Sequence, residues 1–300
     1  MGKELNKLRT RKEVRQRFDA INKRRDMCLV IHYSCESFYD IKDGRTPRVT
    51  SIAVRQFSSG QTASFSIHKS AELKGVAQAD ITNQYDELER DMLSEFFDYL
   101  RTKPDHTFVH WNMRDINYGF QAIEHRFRVL KGTPVSVSDD KKVDLARELI
   151  GLYGVKYAPH GDAGRLHSLM EMNHITAKDV LTGAGEAAAF ENQEYVKLHQ
   201  STLRKVDVVS NILDRNLDGS LKTKSSWLDS HGFHPVAVIE VITEHWLYSL
   251  IGIVAVMVGL YFPLKDLIWP PTAVSEPGSA TPDVSYLWES GAQVISAMFG

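Results

Sequence analysis

From Trp246 to Leu264 the chain runs for nineteen residues without a charged side chain, Trp-Leu-Tyr-Ser-Leu-Ile-Gly-Ile-Val-Ala-Val-Met-Val-Gly-Leu-Tyr-Phe-Pro-Leu. As a helix this stretch is about 28 Å long, close to the hydrocarbon thickness of a bilayer. Trp246, Tyr248, Tyr261 and Trp269 bracket it as interfacial aromatics do. A buried core helix is the competing reading, because Ser249, Gly252 and Gly259 dilute the run. The expectation is a single transmembrane helix over 246–264. No apolar segment follows the basic N-terminus as a signal peptide requires. The large N-terminal part is therefore expected on the cytoplasmic side of a single-pass membrane protein. Residues 226–245 then form a linker, and 265–300, with Pro271, Ser275, Pro277, Gly278 and Pro282, a flexible tail.

The opposite end has the opposite character. Residues 1–26, with Arg11, Arg15 and Arg17 among many cations, form a basic segment whose sparse apolar residues, Leu5, Leu8, Val14, Phe18 and Ile21, recur at helical spacing. Such a segment is a solvated amphipathic helix, or a contact to nucleic-acid phosphate or to an anionic membrane surface. The rest of the chain is acidic and reverses this local excess, the formal net of the whole being −2 with 43% hydrophobic residues, so neither disorder nor general polycation behaviour is implied. Cys28 and Cys35 fall on opposite faces of one strand and do not pair. Disulfide frameworks and cysteine-based zinc sites are excluded.

Between the ends, extended and helical patterns alternate, which predicts an α/β fold. Strands are predicted at 28–32, 48–55 and 62–68, with Ser58-Ser59-Gly60-Gln61 as a hairpin turn, and a buried strand at 107–111. Helices are predicted around 86–100, 115–130, 143–153, 166–172 and 186–215.

Three carboxylates stand out. Glu36 follows the first strand, Asp115 follows the fourth at the start of a helix, and Asp207 lies beside the apolar face of the late helix. Acids gathered at one sheet edge repel one another unless a cation sits between them, and oxygen ligands of this kind suit Mg²⁺ or Mn²⁺. Such a site activates water and clamps a phosphodiester. Simpler roles are open for each. Glu36 can be a surface acid or a helix cap, Asn112 and Asp115 can cap the helix that follows, and Asp207 can pair with Arg204 or Lys205. Arg114, His125, Arg126 and Arg128 offer a basic face for phosphates or a solvated helix surface, and His32 and His110, on apolar strands, read as satisfied core histidines.

The strand-one acid, the Asn112-Met-Arg-Asp115 segment and the late-helix Asp207 resemble, over about residues 27–215 of a domain expected at 27–225, the DEDD family of 3′-5′ exonucleases in the ribonuclease H-like superfamily. The resemblance implies a ribonuclease H-like mixed sheet flanked by helices, Glu36, Asp115 and Asp207 as catalytic metal ligands for one or two Mg²⁺ or Mn²⁺ ions, and a single-stranded or terminal nucleic-acid substrate. Ser34 stands where the first Asp of the family's Asp-x-Glu motif belongs, and Leu203 where one branch has a Tyr. His199 is the nearest candidate base, eight residues or about 12 Å along a helix from Asp207. Ser34, Asn112, Arg114 and Arg126 are expected to face nucleic acid. Two functions follow: a metal-dependent exonuclease, or an inactive domain that senses nucleic acid or nucleotide and acts as a membrane effector in stress or phage defence, a setting suggested by architecture alone.

Overall fold

The computed structural model describes residues 3–37, 46–114, 117–176, 178–225 and 246–268. The predicted linker and most of the predicted tail lie outside these, as does Asp115. The chain divides into two units, residues 1–244 and 245–300.

The first unit is an α/β domain built on a mixed five-stranded sheet flanked by helices. Its strands are β1 (Cys28–Cys35), β2 (Val49–Gln56), β3 (Thr62–Ser66), β4 (Thr107–His110) and β5 (Lys142–Asp144), in the spatial order β3-β2-β1-β4-β5. β2 is antiparallel to both β1 and β3, whereas β4 is parallel to both β1 and β5. The helices are α1 (Lys3–Lys23), α2 (Ile67–Lys74), α3 (Tyr85–Arg101), α4 (Phe120–Val129), α5 (Leu145–Tyr153), α6 (Arg165–Met172), α7 (Gly183–Glu191) and α8 (Tyr195–Leu217).

The period of two along β1 sorts its side chains between two cores. Leu29, Ile31 and Tyr33 pack with Met92, Phe96 and Phe97 of α3 and with Ile123 and Phe127 of α4. Cys28 and Val30 face the other way, onto Leu149 of α5 and Val208, Val209 and Ile212 of α8. His32 and Ser34 continue this second face to the end of the strand, and both are buried.

α1 belongs to this second layer. Val14, Phe18 and Ile21 are buried in the core, Arg11 donates to the Leu152 carbonyl at 3.0 Å, and Arg17 pairs with Glu148 at 2.8 Å. The close approach depends on Gly151, where a Cβ would meet Val14 Cγ2 at 2.9 Å. The N-terminal segment is thus a structural helix of the domain, and two of its cations are directed inward.

Several predicted elements shift. β3 ends at Ser66, and the next residues form α2, which stops at Gly75 with φ +67°. The helix predicted from Asp115 begins at Phe120. β5 occupies the first residues of a segment read as entirely helical. The late helix is two helices, because Gln193 takes φ +58°, a conformation no α-helix continues through.

The second unit contains helix α9 (Trp246–Ile268). Side chains are described for 250–261, and the large apolar ones among them, including Ile253, Val256 and Met257, are exposed. Among the residues with described side chains, which in α9 are 250–261 alone, no helix is long and apolar enough to cross a membrane.

Candidate functional site

The parallel strands β1 and β4 run side by side as far as the Ile31–His110 pair, and beyond it their continuations separate. Ligands commonly bind at such carboxyl ends of strands in open α/β sheets. On the β4 side, Asn112 turns the chain with φ +57°, a region that asparagine tolerates better than most residues. Asp144 fixes the turn. Its Oδ1 accepts from the Asn112 N–H at 3.1 Å and from Ala146 N–H at 3.2 Å, capping α5, and its Oδ2 accepts from Arg114 Nη1 at 2.7 Å.

A cavity of about 370 Å³ lies at this edge, lined by His32, Asn112, Arg114, His160, Arg165 and Lys205 together with apolar groups. None of its described lining residues is an acid. Lys205 is buried and pairs with Glu186 at 2.7 Å; Arg165 lies over the Tyr157 ring at 5.8 Å. Helix α6 starts at the wall, its N-cap Gly164 has φ +86°, and no side chain caps it. The first amides of α6 therefore carry the partial positive charge of a helix N-terminus without a capping acceptor.

His32 is buried in the cavity wall. It is 6% exposed, and neither ring nitrogen has a hydrogen-bond partner among the described residues. Burial, followed by the charges of Lys205 and His110, lowers its pKa well below the usual histidine value, so the ring is neutral. Two residues on, Ser34 Oγ is also buried without a hydrogen-bond partner among the described residues. The reading of His32 as a satisfied core histidine is thereby corrected: it is buried and unsatisfied.

His110 differs, since its Nδ1 accepts from the Met113 N–H at 3.2 Å. Burial lowers its pKa to about 4, opposed by Asp144 and assisted by Lys142 and Arg114. A histidine that stays neutral in the fold but takes a proton when unfolded loses stability as pH falls. Between pH 6.5 and about 4, His110 is expected to contribute a decline of roughly 1.4 kcal/mol per pH unit. Denaturant unfolding of His110→Asn across this range should give a shallower slope than the wild type.

The carboxylates predicted to meet do not all do so. Glu36 follows a register shift between Ser34 and Cys35 and turns toward β2, where its N–H donates to the Arg48 carbonyl at 2.8 Å and its Oε2 accepts from Arg48 N–H at 3.4 Å. It lines a separate cavity of about 210 Å³ with Arg48 and Tyr195. Asp207 pairs with Arg55 at 3.0 Å, and Arg204 lies 3.7 Å away. Because Arg55 opposes Val30 in the β1–β2 ladder, Asp207 sits about 20 Å along the sheet from Glu36, six residues at roughly 3.3 Å each. The helical wheel explains this: at 100° per residue, Asp207 is about 200° around α8 from Lys205, the residue that reaches the cavity.

Arg126, expected at nucleic acid, is instead buried. It donates to both carboxylate oxygens of Glu89 at 2.5–3.0 Å and to Asp86 at 2.6 Å. His199 packs against the His68 ring at 4.9 Å, and burial lowers its pKa to about 4. Of the predicted residues, Asn112 and Arg114 line the cavity and Ser34 stands beside it on β1. Among the described residues, no group of three or more His, Cys, Asp or Glu side chains is placed to hold a metal ion. The described lining, with the imidazoles of His32, His160 and His167 and the cations Arg114, Arg165 and Lys205, supplies none of the carboxylate oxygens that a pair of hard dications takes.

No protein-family model matches this chain, and no curated protein or solved structure shows significant similarity to it.

Proposed function

We propose that this chain is a ribonuclease H-like domain anchored to a membrane by α9, which binds nucleic acid or nucleotide through the β1/β4 cavity without hydrolysing it. The observation that carries this reading is the cationic lining of the cavity: Arg114, Arg165 and Lys205 line it, Arg114 and Lys205 each paired at 2.7 Å with an acid outside the described lining, Asp144 and Glu186, and that lining itself contains no acid. The order β3-β2-β1-β4-β5, with β2 antiparallel, supports the superfamily assignment. In the exonuclease family that the sequence resembles, an Asp-x-Glu pair supplies the metal ligands of the first strand. Here Ser34 holds the first of these positions and Glu36, at the second, lines the other cavity with Arg48, which leaves His32 and Ser34 as the polar residues on the cavity side of β1. A neutral imidazole and a hydroxyl supply none of the negative charge that two dications 3.5–4 Å apart require. Cationic side chains and helix amides instead favour anions, phosphate above all.

The membrane anchor is supported by the sequence of α9. Its uncharged run is about 28 Å long, and apolar residues are distributed around the whole circumference rather than on one stripe.

The test is incubation of the full chain in mild detergent with labelled single-stranded DNA and RNA, in Mn²⁺ and in EDTA. Binding in EDTA with intact product in Mn²⁺ is expected. Asp207→Asn should leave affinity within about twofold, and its loss of a partly exposed ion pair should cost no more than about 1 kcal/mol of stability. Hydrolysis in Mn²⁺ that disappears in Asp115→Asn overturns the proposal in favour of a metal-dependent exonuclease.

A further inference from the structure

We infer that the β1/β4 cavity is a receptor for a phosphomonoester, the charged end of a nucleotide, held without a divalent cation. This deepens the nucleotide-binding reading above and rests on it. Three independent features converge there. Arg114 and Arg165 approach from the β4 loop and from α6, and Lys205 approaches from α8. The uncapped N-terminus of the eight-residue α6 contributes Gly164, Arg165, Leu166 and His167 to the same wall. In the same lining, His32 presents two ring nitrogens with no hydrogen-bond partner among the described residues although it is only 6% exposed.

The chemistry of these donors selects among anions. A phosphomonoester carries about −1.5 to −2 charge at pH 7 and three terminal acceptor oxygens. A phosphodiester offers a single charge and two such oxygens. Donors arriving from three elements match the monoester, and guanidinium groups and helix amides are the usual partners of phosphate. His32 serves a different part of the ligand. As a neutral ring it has one donor and one acceptor, which suits a sugar hydroxyl or a base edge. Trp111, Ile150 and Leu166 add apolar wall, and the volume of about 370 Å³ falls within the usual range of about 300–1,000 Å³ for small-molecule sites.

Two sources can provide this group, a free mononucleotide or the terminal phosphate of a strand. The full chain in detergent and EDTA is titrated with AMP, with adenosine, and with one oligonucleotide with and without a 5′-phosphate. AMP is expected to bind at least tenfold more tightly than adenosine. If the 5′-phosphate strengthens oligonucleotide binding by a similar factor, the source is a strand end; if it adds nothing while AMP still binds, the source is the free nucleotide.

Arg165→Gln and His32→Leu are each expected to weaken AMP binding tenfold or more. His32→Leu removes two unsatisfied buried nitrogens, so the ligand-free Tm should be unchanged or higher, which separates loss of binding from loss of fold. Equal affinities for AMP and adenosine, or AMP binding untouched by both substitutions, overturn the inference. If unphosphorylated oligonucleotide binds in EDTA and AMP does not, the phosphomonoester assignment falls and the nucleic-acid reading stands. Cleavage of the oligonucleotide in Mn²⁺ overturns that reading whatever AMP does.

Discussion

Arg126→Met is expected to lower the unfolding free energy by about 3–5 kcal/mol, the usual effect of stripping one partner from a buried ion pair. Glu89 is fully buried between α3, α4 and β2, where it also accepts from the Val49 N–H at 2.7 Å. Burial pushes its carboxyl up to about 7, against the pull of Arg126 and of Val49. Without the guanidinium, that value rises further. An acid whose pKa is higher folded than unfolded binds more protons in the fold, so stability falls as pH rises. The deficit of Arg126→Met should therefore be larger at pH 8.5 than at pH 6, read from denaturant midpoints at the two pH values. The double variant Glu89→Leu with Arg126→Met removes both charges and should recover most of the loss, since an apolar pair of similar volume often replaces a buried ion pair at little cost. A single-variant effect below 1 kcal/mol would show that the pair does not organise this core.

The second large effect concerns α9. Ile253→Arg together with Val256→Arg places two charges near the middle of the uncharged run, where each arginine costs about 2.5–3.5 kcal/mol on insertion scales. The full chain is expected in the membrane pellet after alkaline carbonate extraction, and the double-arginine variant in the supernatant. Ile253→Leu should behave as the wild type. Release of the wild-type chain by carbonate would remove the anchor from the proposed function.

Most of the sheet was legible because alternation is a long-range signal in strands of five residues or more. β2 and β3 lie close to where alternation predicts them, and β1 and the four-residue β4 lie where short continuous apolar runs do. β5 has three residues, too few for any period to register, and it runs directly into α5. The break between α7 and α8 turns on one backbone angle at Gln193, which composition does not reveal. The site was less legible for a different reason. Acids attract attention by type, but their direction is set by the wheel and by register. Asp207 lies on the side of α8 turned to Arg55, and the shift after Ser34 carries Glu36 toward β2. Arg126 looks like a surface cation until its partners Glu89 and Asp86, about forty residues away in sequence, are seen. One usable signal was present: His32 and Ser34 interrupt the apolar face that Cys28 and Val30 begin. Two polar residues at i and i+2 on an inward face ask for a partner, and hydrogen bonding, which only the fold reveals, decides whether they have one.

Asp144 joins two otherwise separate matters, the start of a helix and the reach of a cation. The carboxylate that caps α5 also tethers Arg114 and the Asn112 turn, while α1 packs against the same helix. Fraying of the first turn of α5 would therefore loosen the cavity wall, and an anion drawing Arg114 away from Asp144 would strain that turn. One side chain thus stands between a residue of the cavity wall and the helix on which the N-terminal helix packs.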